Sequence, residues 1–376
     1  MPLYNPFSGS AFPPFVYNYS PLVLPNWRAA LGKVKAGATI RNAKILMIGD
    51  STTEGAYSNN STIGDWVKLA PAALLAKMFN NIGISANNNS CFGFNGNDIA
   101  HDSRWVQGTG WIFDATPMLG GYAIHAGSGS TALTFLPNVN CDTFKCWLLK
   151  NTGLATIAVN INGGTNTTVN ENTAASFTSQ TITNALGANT LNVNWSSGTG
   201  NVYFGGVEAY NSAVASVNIC NAGWDGSTST SWNDSSSAWS PLNTIASFAP
   251  DLTIITLGIN DWENSIPLAT SQSNLQAIIT AAKVVGDVIL CSGVPSNPAQ
   301  GVTTATQLTY VSMMQSLAAS NGIIFMDIFN RWVNWTVSNN LGFYTTASAG
   351  VGNNLHPQGA GYADWADFLF SVISNP

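Results

Sequence analysis

Three near-continuous apolar runs set the tightest limit on how this chain can fold. Lys44-Ile45-Leu46-Met47-Ile48 ends at Gly49, Leu252–Leu257 ends at Gly258, and Val288–Cys291 is followed by Ser292-Gly293. None of them alternates apolar with polar residues. A strand of that kind is buried on both faces, which happens when helices cover both sides of a parallel sheet. Helical patterns separate the runs, at 62–80, Ser271–Val285, Thr304–Asn321 and Tyr362–Ile373. In the first of these Trp66, Val67, Ala70, Ala73 and Leu74 share one side. Strand, tight turn and helix in repetition make an α/β chain. Every apolar run is strand-sized, far below the ~20 residues of a membrane span.

One long stretch breaks this pattern. Between 105 and 212 the chain consists of short alternating segments, such as Thr156–Ile161, Asn189–Trp195 and Val202–Val207, separated by Gly, Asn, Ser and Thr. Helical periodicity is absent there, and short strands at such spacing predict an all-β sandwich. The expected organisation is an N-terminal arm over 1–35, an α/β domain over 36–104 and 213–376, and a β-sandwich over 105–212 inserted into it as a candidate carbohydrate-binding layer. The arm is rich in Pro and aromatics up to residue 26, with a short helix expected from Trp27 to Lys35.

Composition removes several function classes. Only 8% of the 376 residues are charged, against roughly 25% in an average soluble protein. The net charge of -6 comes from 12 basic and 18 acidic residues, with no basic stripe to neutralise phosphates, so nucleic acid is an unsuitable partner. The 45% of hydrophobic residues exclude a disordered chain. Three histidines (His101, His125, His356) without a Cys/His cluster predict no zinc site. Of the five cysteines, Cys220 and Cys291 sit in apolar strand-like runs and are expected as free, core thiols, while Cys141 and Cys146 could in principle pair. No Gly-rich phosphate loop and no Gly-x-Ser-x-Gly elbow occur, which argues against nucleotide binding and the α/β-hydrolase route. Met1–Pro6 lacks the basic and apolar regions of a signal peptide, so the compartment is open, with an extracellular or virion-associated setting the weak expectation.

Three segments carry chemistry. Gly49-Asp50-Ser51-Thr52 follows the first buried strand, and the carboxyl ends of strands are where open α/β sheets bind ligands. Ser51 there is either a nucleophile or a plain helix cap, since Ser, Thr and Asp all favour that position. Leu257-Gly258-Ile259-Asn260-Asp261 brings an amide side chain to the same sheet edge, and Asn353-Asn354-Leu355-His356-Pro357 brings a histidine just before the last helix.

In these segments the chain resembles the SGNH (GDSL-type) hydrolase family. Gly49-Asp50-Ser51-Thr52 with Glu54-Gly55 is similar to its first block, Gly258-Ile259-Asn260-Asp261 to its third and His356-Pro357 to its last. Asn221-Ala222-Gly223-Trp224-Asp225-Gly226 fits the second block, with Asn88-Asn89-Ser90-Cys91-Phe92-Gly93 as a rival. The resemblance covers roughly 40–100 and 215–376. It implies a flavodoxin-like three-layer sheet and ester hydrolysis through an acyl-enzyme, with no metal or organic cofactor. Carried over, Ser51 is the nucleophile, His356 the general base, and the oxyanion donors are the Ser51 and Gly226 N–H groups and the Asn260 amide.

One position departs from the family. Asn353 stands where an Asp is usual, three residues before the histidine. Its oxygen can orient an imidazole but offers no charge to the imidazolium. Three routes stay open: a Ser-His dyad helped by a backbone carbonyl, another carboxylate such as Asp225 or Asp364, or a weakened glycan-binding or structural module of virion type. Thirteen tryptophans, several flanking the blocks, make Trp224 and Trp262 candidates for stacking on sugar rings. A sandwich inserted in such a domain resembles polysaccharide O-acetyl esterases and phage tailspike deacetylases. The expected function is therefore removal of O-acetyl groups from an acetylated poly- or oligosaccharide, with acyl transfer as the lesser alternative and neither nucleic acid nor membrane as partner.

Overall fold

The computed structural model describes residues 14–20, 22–37, 42–58, 66–94, 101–344 and 355–375. Five parallel strands form the centre, in the spatial order Val217–Gly223, Ala43–Gly49, Leu252–Thr256, Asp287–Cys291, Ile324–Met326. Numbered among themselves along the chain, these five run 2-1-3-4-5, the flavodoxin-like arrangement, and a sixth parallel strand, Ala86–Phe92, pairs outside Val217–Gly223. The three apolar runs are its middle strands, and every residue of each is buried except the Lys44 stem. Helices Pro25–Lys35, Pro71–Asn81, Leu268–Lys283, Thr304–Asn321 and Gly359–Ile373 cover the faces. A continuous core of Ile45, Met47, Ile254, Leu290, Phe325, Leu369 and their neighbours lies between the layers. The fold class is α/β with a second sheet, as the apolar runs predict.

Two elements differ from expectation. Residues 62–65 of the expected 62–80 helix lie outside the described residues, and the rest is a single 3-10 turn, Trp66–Lys68, followed by Pro71–Asn81. Pro71 starts that helix because its ring and missing N–H suit a first position and forbid an interior one. Ala86–Phe92 is a strand that periodicity does not reveal, since Asn is depleted in strands. It pairs in parallel with Val217–Gly223 and is wholly buried. Some of its polar groups are paired: Asn87 Nδ2 donates to Asn218 Oδ1 (2.7 Å), Asn138 N donates to Asn89 Oδ1 (2.9 Å) and Arg104 Nη1 donates to the Asn88 carbonyl (2.6 Å), while Asn88 Nδ2, Asn89 Nδ2 and Ser90 Oγ are buried without a hydrogen-bond partner among the described residues.

Ala86–Phe92 is also where the sheet changes character. Val202–Tyr210 pairs with it antiparallel and carries on to Cys141–Lys150, Ser176–Gly187, Gly121–Ala126 and Trp111–Met118. A separate five-stranded sheet, ordered Thr167–Asn170, Thr156–Ile161, Leu191–Ser197, Leu133–Phe135, Trp105–Val106, packs against those strands. Phe144, Leu148 and Phe204 from one side and Val159, Leu191 and Val193 from the other share one core. Cys141–Lys150 has no clean alternation because it serves two cores. Phe144, Cys146 and Leu148 face the second sheet, while Trp147 and Leu149 join the core of the α/β layers. At this seam Glu208, 1% exposed, accepts bonds from Lys44 Nζ (2.6 Å) and Trp147 Nε1 (3.0 Å) and lies 3.2 Å from Lys145 Nζ. A buried carboxylate is tolerable only with such partners.

The N-terminal segment is more integrated than an arm. Val16–Tyr17 pairs antiparallel with Ile324–Met326 at the sheet edge. Trp27, Ala30, Leu31 and Val34 of the Pro25–Lys35 helix are buried, and Trp27 donates its backbone N–H to Asp287 Oδ2 and its indole N–H to the Ile373 carbonyl, both at 2.8 Å. All five cysteines are buried free thiols, so Cys141 and Cys146, five residues apart in one strand, form no bridge. No described helix is long and apolar enough to cross a membrane.

Candidate active site

Ser51 opens the four-residue helix Ser51–Glu54, immediately after the Ala43–Gly49 strand. The capping role belongs to its neighbour: Asp50 Oδ1 accepts from Thr52 N (2.9 Å) and Thr52 Oγ1 (2.7 Å). Ser51 is therefore released from the duty that sequence alone left open to it. Its Oγ lies 2.8 Å from His356 Nε2, across 305 residues of chain. Both side chains are buried, at 6% and 7% exposure. With the ring proton on Nδ1, Nε2 accepts the hydroxyl hydrogen, the geometry needed to take that proton as Oγ attacks.

His356 is placed by its own short segment. Pro357 bridges antiparallel to Tyr344, and the Gly359–Ile373 helix begins two residues later. The Tyr57 ring packs against the imidazole with centroids 5.0 Å apart. Tyr57 holds a left-handed backbone (φ 60°), a conformation that costs energy in a non-glycine residue and tends to persist near functional sites. Sequence reading had no signal for it beyond its closeness to Ser51.

The other expected residues sit at the ends of the flanking strands. Gly226 lies on the turn after Val217–Gly223, with φ 69°. That turn is tied to the Ala43–Gly49 strand by Trp224 N donating to the Gly49 carbonyl (2.9 Å). It also needs a glycine at 223, where an added Cβ would fall 2.1 Å from the Glu54 nitrogen. Asn260, in the helix Ile259–Glu263, donates from Nδ2 to the Ser227 carbonyl (2.9 Å). The amide has a second hydrogen beyond that bond. Asp261 braces the arrangement by accepting from Ser229 N (2.7 Å) and from Ser271 Oγ. Gly93, the rival to Gly226, has its N–H committed to the Gly205 carbonyl at 2.9 Å. Ser51, the Gly226 turn and Asn260 thus follow three adjacent parallel strands, at the switch point where open α/β sheets place ligands.

Other expectations need correction or lie out of view. Asn353 lies outside the described residues. Asp364 is engaged elsewhere, accepting from Arg331 Nε (2.9 Å), Arg331 Nη2 (2.7 Å) and Trp332 Nε1 (2.8 Å). Asp225 is exposed on the second-block turn. Trp262 is 1% exposed, donates to Ser296 Oγ (3.0 Å) and packs edge-on against Tyr310 and Phe329. Trp224, at 5%, meets Tyr122 and Trp232 edge-on. Neither presents an open ring face to a sugar; the residues beside the motifs are core, because the motif turns fold back over the sheet end. Among the described residues no group of three or more His, Cys, Asp or Glu side chains is placed to hold a metal.

Asp50 carries an electrostatic cost. Burial pushes its carboxyl up from 3.8 to about 6, with Asp225 and Asp261 adding repulsion and the Thr52 bonds opposing. A raised carboxyl favours the folded state when protonated, and that stability is lost as pH rises from below 4 through 6. Asn at this position keeps the cap and removes the charge. We expect Asp50→Asn to be more stable than the wild type by roughly 3 kcal/mol at pH 8, and near-equal at pH 3.5. Urea unfolding at the two pH values checks this; a gap that does not shrink in acid would contradict it.

The comparisons with known proteins bear on the fold. The model of the GDSL-like lipase/acylhydrolase family matches residues 181–363. A solved peptidoglycan O-acetylesterase superposes with a TM-score of 0.70 at 18% identity, over 93% of this chain and 97% of its own. A Bacillus subtilis protein gives 0.37 at 15% identity, over 69% of this chain and 88% of its own. A lipase/acylhydrolase from Enterococcus faecalis gives 0.34 at 19%, over 41% and 74%. Those two superpositions are too loose to carry an argument. No curated protein matches the sequence. The chain is thus one of SGNH (GDSL-type) hydrolase fold whose residues 181–363 carry the signature of the GDSL-like lipase/acylhydrolase family.

Proposed function

We propose that this protein is a serine esterase that removes O-acetyl groups from a carbohydrate. The observation that carries the reading is the 2.8 Å contact between Ser51 Oγ and His356 Nε2 at the carboxyl end of the parallel sheet. His356 takes the hydroxyl proton as Oγ attacks the acetyl carbonyl. The tetrahedral oxyanion meets the Ser51 N–H, the Gly226 N–H and the second hydrogen of the Asn260 amide, donors that matter most once charge has formed. Collapse expels the sugar alkoxide, which recovers the proton from His356. Water then attacks the acetyl-enzyme with His356 again as base, releasing acetate. With asparagine at 353 in the sequence, we read the working unit as Ser51 and His356. The Tyr57 ring packs against the imidazole at 5.0 Å, within the roughly 6 Å over which an aromatic ring can favour a cation.

The carbohydrate assignment is supported by the fold shared with a peptidoglycan O-acetylesterase over nearly the whole of both chains. We read the strands of 105–212 as an inserted sandwich-like unit that widens the sugar-binding side. The test is acetate release from O-acetylated polysaccharides beside hydrolysis of p-nitrophenyl acetate and its longer-chain analogues. Acetate release together with a steep loss of rate beyond short acyl chains is expected. Faster hydrolysis of long acyl chains would point to a lipase instead. Asn353 favours one second reading, a glycan-binding module with weakened chemistry; binding of the same polysaccharides without acetate release would select it.

A further inference from the structure

A small cleft of about 60 Å³ opens beside the nucleophile helix. We propose that it is a subsite for the acetamido group of a 2-acetamido sugar, so that the glycan deacetylated at Ser51 contains N-acetylated amino sugars. This rests on the esterase reading and names its substrate more narrowly.

Reach comes first. Glu54 lines the cleft and stands one helical turn after Ser51, a separation of about 5–6 Å between Cβ atoms. A substituent of the sugar ring that bears the ester, or of the ring next to it, therefore falls within range. Charge narrows the ligand. Arg104, only 5% exposed, is gripped by Asp102 (Nε to Oδ1 2.8 Å, Nη2 to Oδ2 2.5 Å) and donates to the Asn88 carbonyl at 2.6 Å. Glu54 Oε1 and His101 Nδ1 face each other at 3.4 Å. Arg104 has Asp102 as its counter-charge and Glu54 faces His101, so a carboxylate would meet the acids and an ammonium would meet Arg104. A neutral polar group suffers neither repulsion.

The walls narrow it further. Val67, Phe94 and Trp105 supply apolar surface, and the Asn221 amide lies among the polar groups. A bare hydroxyl would leave the apolar wall uncovered, and an alkyl chain would strip water from the polar side without replacing its bonds. An acetamido group offers an N–H, a carbonyl and a methyl, one for each kind of wall. The cleft is also built in advance: at Gly93 (φ 69°) an added Cβ would fall 2.3 Å from the Gly120 carbonyl carbon, so two backbone segments close its floor at fixed distance. Walls that need no ordering on binding favour a specific ligand.

The test compares kcat/KM for methyl N-acetylglucosaminide and methyl glucoside carrying an O-acetyl ester at the same position. The wild type should prefer the amino sugar by at least about tenfold. Arg104 is too enmeshed for a safe substitution, whereas Val67 is half-buried at the rim. Val67→Phe should narrow the cleft and bring the ratio close to one. A second readout is independent of turnover: saturation-transfer NMR of methyl N-acetylglucosaminide with Ser51→Ala protein. The strongest saturation should fall on the acetamido methyl and disappear in Ser51→Ala/Val67→Phe. An active enzyme with equal rates on both sugars, or a preference untouched by Val67→Phe, overturns the proposal. If neither ester is hydrolysed, the esterase reading fails separately and the NMR decides the cleft: methyl saturation lost with Val67→Phe supports it, and uniform or absent saturation overturns it.

Discussion

Ser51→Ala is expected to abolish ester hydrolysis while leaving the fold intact. The substitution removes one atom, the Oγ that sits 2.8 Å from His356 Nε2. Loss of a serine nucleophile in a comparable unit lowers kcat by roughly 10⁴–10⁶, and a short acetyl ester with a good leaving group is a sensitive probe of it. Stability should hardly change, because the helix cap is Asp50 and not Ser51. The measurement is the initial rate on p-nitrophenyl acetate beside a thermal melt of both proteins. A folded variant that keeps more than a few per cent of the wild-type rate would remove Ser51 from the chemistry, and with it the pairing to His356. A parallel loss in His356→Ala, with no further loss in the double variant, would show that the two residues work as one unit.

Asn260→Ala carries the next largest effect. If the second amide hydrogen meets the oxyanion, kcat should fall by about 10²–10³ with KM little changed, since the bond strengthens only as charge forms on the carbonyl oxygen. Asn260 also holds the turn that contains Gly226 through its bond to the Ser227 carbonyl, so a structural role must be separated from a chemical one. Asn260→Asp does this. It keeps size and shape but has no donor when ionised, and it places negative charge where the oxyanion develops. We expect it to be at least as damaging to kcat as alanine. A drop in melting temperature in both variants with kcat near wild type would instead assign Asn260 to bracing the turn.

Much of the site was legible because its signals are local. A glycine ending a buried strand, a Ser or Asn on the next turn and a His-Pro pair before a helix are patterns over four to six residues, and strand ends of a parallel sheet lie on one side by topology. The tryptophans beside these motifs misled because adjacency in sequence says nothing of which way a ring turns. Trp262 points into the layer of Tyr310 and Phe329, whereas Tyr57, with no motif of its own, lies against His356. Of the alternative carboxylates, Asp364 is engaged with Arg331, 33 residues away, and only packing could reveal that.

The sequence by itself determined the three apolar parallel strands, most of their covering helices and the order of the motif blocks, because burial on both faces and turn chemistry are written in neighbouring residues. Tertiary structure decided the rest. It gave the cap to Asp50 and so freed Ser51, and it closed the 305-residue gap to His356. It buried the polar strand Ala86–Phe92 between a parallel and an antiparallel partner, and it split Cys141–Lys150 between two cores. Those outcomes depend on what lies across from each side chain, and a pattern along one strand carries no information about the strand opposite.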